Sequence, residues 1–222
     1  IALANAGVRV SIAGRRIDAL KATAAALGKH AGAVVSIDVT GEAAVTKGIA
    51  QIAAEAGPID ILVNNAGKAG SAPFDKTGAA LWADMLASNL SSVFLVTQAV
   101  LPDMAQRGRG RVINVASTAG LTGYAYVSAY VAAKHGVVGL TRSLALEYAR
   151  RGFAALIVMR RGYGTSPGGR VDSVGGCANA AYLPAAAVRC AWRVLIRAMS
   201  RRTSRTRLGF SSWLVAAWKR RL

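Results

Sequence analysis

The stretch that decides the fold class is residues 33–63, AVVSIDVTGEAAVTKGIAQIAAEAGPIDILV. It opens on an apolar strand at 33–37, continues as an Ala-rich helix at 42–56 that ends at Gly57-Pro58, and closes on a second apolar strand at 59–63. A strand, a helix and a strand of these lengths predict a βαβ unit with parallel strands. The chain is therefore expected to be an α/β protein.

The same alternation extends outward in both directions, from residue 8 to about residue 160. The strands are nearly continuous in apolar residues, which is typical of a parallel sheet covered by helices on both faces. The pattern thus predicts a doubly wound parallel sheet in a single domain. The further strands are predicted at 8–13, 111–115 and 153–159, and the further helices at 17–27, 81–106 and 125–150.

The composition bounds the class of protein. A chain of 222 residues with 53% hydrophobic and 17% charged residues fits one globular domain. We find no uninterrupted apolar run of about 18 residues, and Arg9 interrupts the opening segment. We therefore predict a soluble, cytoplasmic protein without a membrane span or a signal peptide. Cys177 and Cys190 have no second pair and no nearby His cluster, so we predict no metal site and no disulfide.

The net charge of +18 is distributed unevenly. Residues 1–150 carry +5, whereas residues 151–222 carry +13 with Asp172 as their one acidic residue. Residues 160–222 are therefore predicted to form a divergent, Arg/Ala-rich basic tail that need not be ordered, beyond a core at 1–159. Within the tail, the pattern indicates a basic amphipathic helix at 185–199 and a short apolar patch at 213–218. A specific nucleic-acid partner is not expected.

Three polar residues could carry chemistry. Tyr130 and Lys134 are four positions apart in a predicted helix, so both side chains project from one face. A nearby ammonium stabilises a phenolate, and this makes a tyrosine usable as a general acid or base. Ser117 follows the strand at 111–115, at the carboxyl edge where parallel sheets bind ligands. Its hydroxyl could hold a substrate oxygen.

Three segments read DILVNNAG at 60–67, INVAS at 113–117 and YVAAKHGVVGLTR at 130–142. Together they resemble the short-chain dehydrogenase/reductase family over roughly residues 1–152. The resemblance implies a Rossmann-like fold and an alcohol–ketone oxidoreductase. It also implies a homodimer or homotetramer built through the helices at 81–106 and 125–150, although a monomer would bury one apolar face of each helix as well.

The resemblance also implies catalytic roles. Tyr130 would be the acid/base, Lys134 would bind the nicotinamide ribose and stabilise the phenolate of Tyr130, and Ser117 would orient the substrate carbonyl. Asn89 matches the helix asparagine that supports a proton-relay water, although a purely structural helix residue is the alternative. His135 is expected to pack or to lie on the surface. Tyr124 and Tyr126 fit pocket or interface positions better than acids.

Further matches concern the cofactor. Asn64, Asn65, Ala66 and Gly67 match the Asn-Asn-Ala-Gly segment that borders the cofactor and steadies the sheet, and Asp38-Val39 matches the pair that contacts adenine. Two arginines, Arg15 and Arg16, end the first strand, where arginine suits a 2′-phosphate. We therefore expect NADP(H), with NAD(H) as the second choice; the alternative is that both arginines are solvated strand-end residues.

The chain departs from the family pattern at both ends. The family begins with a strand and a glycine-rich turn, Thr-Gly-x-x-x-Gly-x-Gly, that cradles the pyrophosphate. This sequence opens on what looks like the second half of the following helix, so the first strand and its turn are expected to be missing. Near residues 152–165 the sequence matches the family pattern only weakly. A reading-frame shift in the source gene would explain this weak match together with the change in composition from there on.

Three functional readings follow. The first is an NADP(H)-dependent oxidoreductase that interconverts a secondary alcohol and a ketone. Around Tyr130 the sequence looks most like 3-hydroxybutyrate and 3-hydroxyacyl-CoA dehydrogenases and 3-oxoacyl reductases. The second reading is a catalytically inactive fragment of such an enzyme. The third is a chain of that ancestry whose basic tail binds a polyanion or a membrane surface.

Overall fold

The computed structural model describes residues 1–148 and 153–158. In chain order the elements alternate between helices and strands, as the sequence predicts. They are α1 (Ala2–Asn5), β1 (Val10–Gly14), α2 (Ile17–Leu27), β2 (Ala31–Ser36), α3 (Glu42–Ala56), β3 (Ile61–Asn64), α4 (Ala79–Leu86), α5 (Ser92–Gln106), β4 (Gly110–Val115), α6 (Ser128–Tyr148) and β5 (Phe153–Val158). The predicted segments at 185–199 and 213–218 lie outside the described residues.

The strands form two parallel sheets instead of one continuous sheet. Strand β1 pairs with β2, and the second sheet has the order β3-β4-β5. No hydrogen-bonded strand joins β1 to β3 within the described part of the chain. The α/β class and the parallel pairing are confirmed, whereas the expectation of a missing central strand stays a prediction.

One helical layer packs across both sheets. Val35 of β2 and Leu62 of β3 belong to separate clusters of buried side chains, and Ile49 of α3 and Val96 of α5 contact both clusters. These shared contacts hold the two sheets in one body, because each helix buries its apolar face against more than one strand. Helix packing, and not strand pairing, therefore connects the two sheets.

The predicted helix at 81–106 is one continuous helical segment, Ala79–Gln106, with an irregularity at its centre. A π-helical turn, Ala87–Ser91, separates α4 from α5. By length and composition this segment is the one helix among the described residues that could cross a membrane. Val100, Leu101 and Met104 of α5 pack against the sheet, so the apolar composition also serves the core. Length and composition alone are weak evidence for a membrane span.

The helix predicted at 125–150 begins later, at Ser128. Tyr126 has a φ angle of 66°, which is the left-handed region and cannot continue into a right-handed helix. The prediction of the helix start at residue 125 is therefore wrong by three residues. The peptide N–H of Ala72 donates to the carbonyl of Tyr126 at 2.8 Å, so this irregular residue ties the loop after β3 to the loop after β4.

Candidate active site

The carboxyl ends of β3 and β4 define the location of the site. Asn64 and Asn114 are register partners in these neighbouring parallel strands. The loops that follow therefore leave the sheet at the same edge, and they carry the Asn65–Gly67 segment and Ser117. Helix α6 starts at the end of the second loop, with Tyr130 in its first turn. This edge brings together three of the segments that the sequence singles out.

Tyr130 and Lys134 lie side by side on α6. The Lys134 Nζ atom is 5.8 Å from the centroid of the Tyr130 ring. The Lys134 side chain is buried, with 6% of its surface exposed, and its ammonium donates to the backbone carbonyl of Val115 at 3.0 Å. A buried ammonium needs such acceptors because desolvation without them is costly. Strand β4 thus holds the ammonium against the phenol ring.

Ser117 lies two residues beyond Val115. Its hydroxyl oxygen accepts from the backbone N–H of Ala119 at 3.2 Å and caps the short 3₁₀ turn Thr118–Gly120. An accepting hydroxyl oxygen keeps its own O–H available as a donor. Ser117 is half-buried. The local turn therefore fixes the oxygen atom while leaving a hydrogen that could point at a substrate oxygen.

Asn89 occupies the π-helical turn Ala87–Ser91 and is fully buried. Its Nδ2 donates to the Met85 carbonyl at 3.0 Å, and its Oδ1 accepts from the Lys68 backbone N–H at 3.2 Å. Single π turns inside α-helices are frequent at functional sites. The two hydrogen bonds of Asn89 support a structural role, because they tie the helix to the segment after β3. A catalytic role stays a prediction.

Gly67 approaches Asn89 so closely that a side chain does not fit. A Cβ atom added to Gly67 would lie 2.6 Å from Asn89 Oδ1 and 3.8 Å from Lys134 Nζ. This contact joins the Asn65–Gly67 segment to Asn89 and to Lys134 of α6. The three residues of that segment are exposed, as a surface that borders a cofactor should be.

Asn64 behaves differently from its neighbours in the motif. It is 8% exposed, and its Nδ2 donates to Thr97 Oγ1 at 3.0 Å and to Asn114 Oδ1 at 2.9 Å. Asn114 continues the chain of hydrogen bonds to Thr141 on α6. Our sequence prediction assigned no role to Asn114, Thr97 or Thr141. A polar residue within the apolar run Ile113–Val115 was the available signal for Asn114.

The remaining cofactor candidates lie on the first sheet. Arg15 and Arg16 are exposed just beyond β1, and Asp38 is exposed beyond β2. The side chain of Thr40 donates to Asp38 at 2.7 Å, and this bond is the main reason that the pKa of Asp38 is lowered. The charges of Arg15 and Lys68 lower the pKa of Asp38 further. Val39, by contrast, packs against the core.

Other candidate residues near the site have simpler roles. His135 is exposed, and its Nδ1 lies 3.0 Å from the Val131 carbonyl. The Tyr124 hydroxyl donates to Thr118 Oγ1 at 2.9 Å, while Tyr126 is 64% exposed. Within the described residues, no group of three or more His, Cys, Asp or Glu side chains could hold a metal ion.

Comparison with known proteins identifies the family. The family model described as short chain dehydrogenase matches residues 1–166. The chain belongs to the short-chain dehydrogenase family. It is 51% identical over 104 residues to nodulation protein G of Azospirillum brasilense, covering 47% of this chain and 42% of that protein. It is 50% identical over 99 residues to D-beta-hydroxybutyrate dehydrogenase of Cupriavidus necator, covering 45% of this chain and 38% of that protein.

Solved structures agree with this family assignment. A variant of actinorhodin polyketide ketoreductase with NADPH matches with a TM-score of 0.69 and 36% identity, covering 72% of this chain and 63% of that one. The match to the two curated relatives described above spans less than half of the length of each. The comparisons therefore confirm the family and the fold that the sequence motifs of this short-chain dehydrogenase imply.

The residues of this short-chain dehydrogenase fit a nicotinamide cofactor at two places. Gly67 leaves bare backbone beside Lys134, as a ribose-facing surface requires, and the guanidinium groups of Arg15 and Arg16 offer donors to a phosphate. A glycine-rich pyrophosphate turn is absent from residues 1–148. Gly67 and Lys134 would face one end of a nicotinamide cofactor, and Arg15 and Arg16 the other.

Proposed function

We propose that this chain carries the proton-transfer residues of an NADP(H)-dependent oxidoreductase that interconverts a secondary alcohol and a ketone. The observation that supports the proposal most directly is the position of the Lys134 ammonium, 5.8 Å from the Tyr130 ring centroid and bonded to the Val115 carbonyl. The Tyr130 hydroxyl is a general acid or base of the kind that proton transfer to and from a carbonyl oxygen requires, and the Lys134 cation lies on the same face of α6.

In the reduction of a ketone, Tyr130 and Ser117 would have separate roles. The bound cofactor would supply hydride to the substrate carbon. Tyr130 would donate its hydroxyl proton to the carbonyl oxygen, and the Ser117 O–H would hold that oxygen by a hydrogen bond. The new C–H and O–H bonds together convert the ketone to a secondary alcohol and leave Tyr130 as a phenolate beside Lys134. In oxidation each transfer runs in reverse.

The preference for NADP(H) follows from charge. Arg15 and Arg16 are exposed where the first sheet ends, and we assign the 2′-phosphate to them. The cofactor named with the polyketide ketoreductase, NADPH, supports this choice by analogy. For the substrate, D-beta-hydroxybutyrate dehydrogenase and the polyketide ketoreductase both support a 3-hydroxyacyl or 3-oxoacyl compound.

We also propose a cytoplasmic homodimer or homotetramer. Large apolar side chains remain exposed on the two helical segments assigned to subunit contacts. Trp82 on α4 is 42% exposed, Phe94 on α5 is 46% exposed, and Leu146 on α6 is 68% exposed. Apolar side chains on one pair of helices favour burial against a second copy. Sedimentation velocity should detect the assembly, and a monomer at all concentrations would contradict it.

The primary test pairs turnover with cofactor binding. We expect purified protein to reduce acetoacetyl-CoA with NADPH, and Tyr130→Phe to abolish turnover while leaving the thermal stabilisation by NADPH in place. Tyr148→Phe removes the same hydroxyl at the far end of α6 and is expected to stay active. Near-normal turnover of Tyr130→Phe would overturn the catalytic assignment. Absence of any stabilisation by NADPH or NADH would favour the reading as an inactive fragment.

A further inference from the structure

A chain of four buried polar side chains lies beneath the candidate site. It runs from α5 through β3 and β4 to α6, and each member is less than 10% exposed. The Asn64 Nδ2 donates at 3.0 Å to Thr97 and at 2.9 Å to Asn114, and the Asn114 Nδ2 donates to Thr141 Oγ1 at 2.8 Å. Buried polar groups in such numbers are costly unless they are fully bonded.

The direction of the hydrogen bonds is fixed throughout the chain. Asn64 uses its amide as a double donor, so Asn114 must present its oxygen to Asn64 and its amide nitrogen to Thr141. Thr141 accepts that bond and donates its own hydroxyl to the Val137 carbonyl at 2.7 Å. Rotation of either amide would leave buried donors and acceptors unpaired. The Thr141 hydroxyl, which donates to the Val137 carbonyl, thus sets the direction of the other hydrogen bonds in the network.

This network connects to the chemistry through α6. Asn114 and Val115 are consecutive residues of β4. Asn114 donates to Thr141 of α6, and Val115 accepts from Lys134 of the same helix. Lys134 and Thr141 are seven positions apart, so they project from the same side of α6 at a separation of about 10.5 Å along its axis. Strand β4 thus holds the helix at two points, which opposes both sliding along the helix axis and rotation about it.

We propose that Asn114 and Thr141 are positioning residues, which fix the height and rotation of α6 so that Lys134 reaches the Val115 carbonyl and Tyr130 faces the substrate. The kinetic part of this inference rests on the proposed oxidoreductase function. The geometric part concerns only the attachment of α6 to β4. A small displacement of a catalytic group lowers turnover strongly, by up to about 100-fold for 1 Å.

The test compares the two ends of the network. Thr141→Val keeps the shape but removes the acceptor for Asn114 on α6, and Thr97→Val removes the equivalent acceptor for Asn64 on α5. Both variants leave one buried amide hydrogen unpaired, so both should lower the melting temperature. We expect kcat to fall about tenfold or more in Thr141→Val with KM within about twofold of wild type, and to change less than about twofold in Thr97→Val. Thr141→Ser keeps the hydroxyl and should restore kcat.

A second readout does not require turnover. The ammonium hydrogens of a buried, hydrogen-bonded lysine exchange slowly enough for detection by ¹⁵N NMR, and Lys134→Met identifies the signal. We expect Thr141→Val to lose or shift this signal and Thr97→Val to retain it. If Thr141→Val does not fold, Thr141→Cys, whose thiol is a weak acceptor, takes its place.

The outcomes separate the two proposals. Equal losses of kcat in Thr97→Val and Thr141→Val, or an unchanged Lys134 signal in Thr141→Val, would overturn the positioning role and leave the oxidoreductase proposal standing. Absence of turnover in the wild-type chain would overturn the oxidoreductase proposal. In that case the Lys134 signal alone decides whether Thr141 positions α6.

Discussion

Gly67 and Asn89 are in such close contact that the amide oxygen of Asn89 occupies the space of a side chain at residue 67. The added Cβ would be 2.6 Å from Asn89 Oδ1, and the next backbone N–H, that of Lys68, donates to the same oxygen. The segment after β3 and the π-helical turn are therefore locked together.

Gly67→Ala should therefore impair both function and stability. The new methyl group must displace Asn89 or the segment after β3, because real Cβ atoms essentially never approach an oxygen this closely. We expect a loss of turnover of about tenfold or more, since Asn89 and Lys134 border the same space. Steady-state kinetics and thermal melts measure both effects. Gly139→Ala on α6, where nothing lies within 4 Å, is the control and should retain turnover.

Gly120→Ala should lower stability by about 1–3 kcal/mol through overpacking. A Cβ at Gly120 would lie 2.8 Å from the backbone carbonyl oxygen of Lys134 and 3.0 Å from Val138 Cγ2, and a helix backbone cannot yield as a flexible side chain can. Urea denaturation would measure the change in the free energy of unfolding. Gly123→Ala lies three residues further along the same loop with nothing within 4 Å. Equal stability of the two variants would contradict the prediction.

Replacement of Arg15 and Arg16 should change the cofactor preference. A hydrogen bond to a charged group contributes about 1.5–3 kcal/mol, so loss of one phosphate contact should weaken NADPH binding about tenfold or more. Arg15→Ala and Arg16→Ala are expected to leave NADH binding unchanged, because NADH lacks the 2′-phosphate. Fluorescence titration with both cofactors measures the ratio. Lys21→Ala, an exposed cation on α2, controls for net charge. Equal weakening for NADH and NADPH would refute the phosphate assignment.

Asp38 should give the fold a pH-dependent contribution at acidic pH. The pKa of Asp38 is lowered chiefly by the bond from the Thr40 side chain, so the folded state favours the carboxylate. That stabilisation is complete above the ordinary aspartate pKa of about 3.9 and is lost as the pH falls through the lower folded-state value. The melting temperatures of wild type and Asp38→Asn should therefore differ at pH 6 and converge towards pH 2.

Thr40→Ala provides the internal check on Asp38. It removes the hydroxyl that donates to the carboxylate, and it should reduce the difference between wild type and Asp38→Asn at pH 6. A difference in melting temperature that stays the same from pH 6 to pH 2 would show that the effect is not linked to the titration of Asp38.

Much of the fold could be predicted from residue patterns because the helices and strands are strongly periodic. The bounds of α2 and α3 agree with the prediction to the residue, since Arg16 and Gly57 flank clear Ala-rich periodic segments. The predicted start of α6 was wrong because Tyr126 adopts a left-handed conformation, which the helix cannot include. A tyrosine carries no local sequence signal for that conformation. The irregularity around Asn89 was missed for a similar reason, because the helical pattern continues through it.

The sequence by itself determined the family and the α/β class, and it predicts Ser117, Tyr130 and Lys134 as site residues, because spacing along a helix and at a strand end is a local property of the chain. Only the tertiary structure decided that strand β4 holds α6 at two points and that Asn89 fills the space beside Gly67. These contacts join residues 19–27 positions apart. Their strength comes from burial and the pairing of polar groups between elements, and no local pattern encodes either.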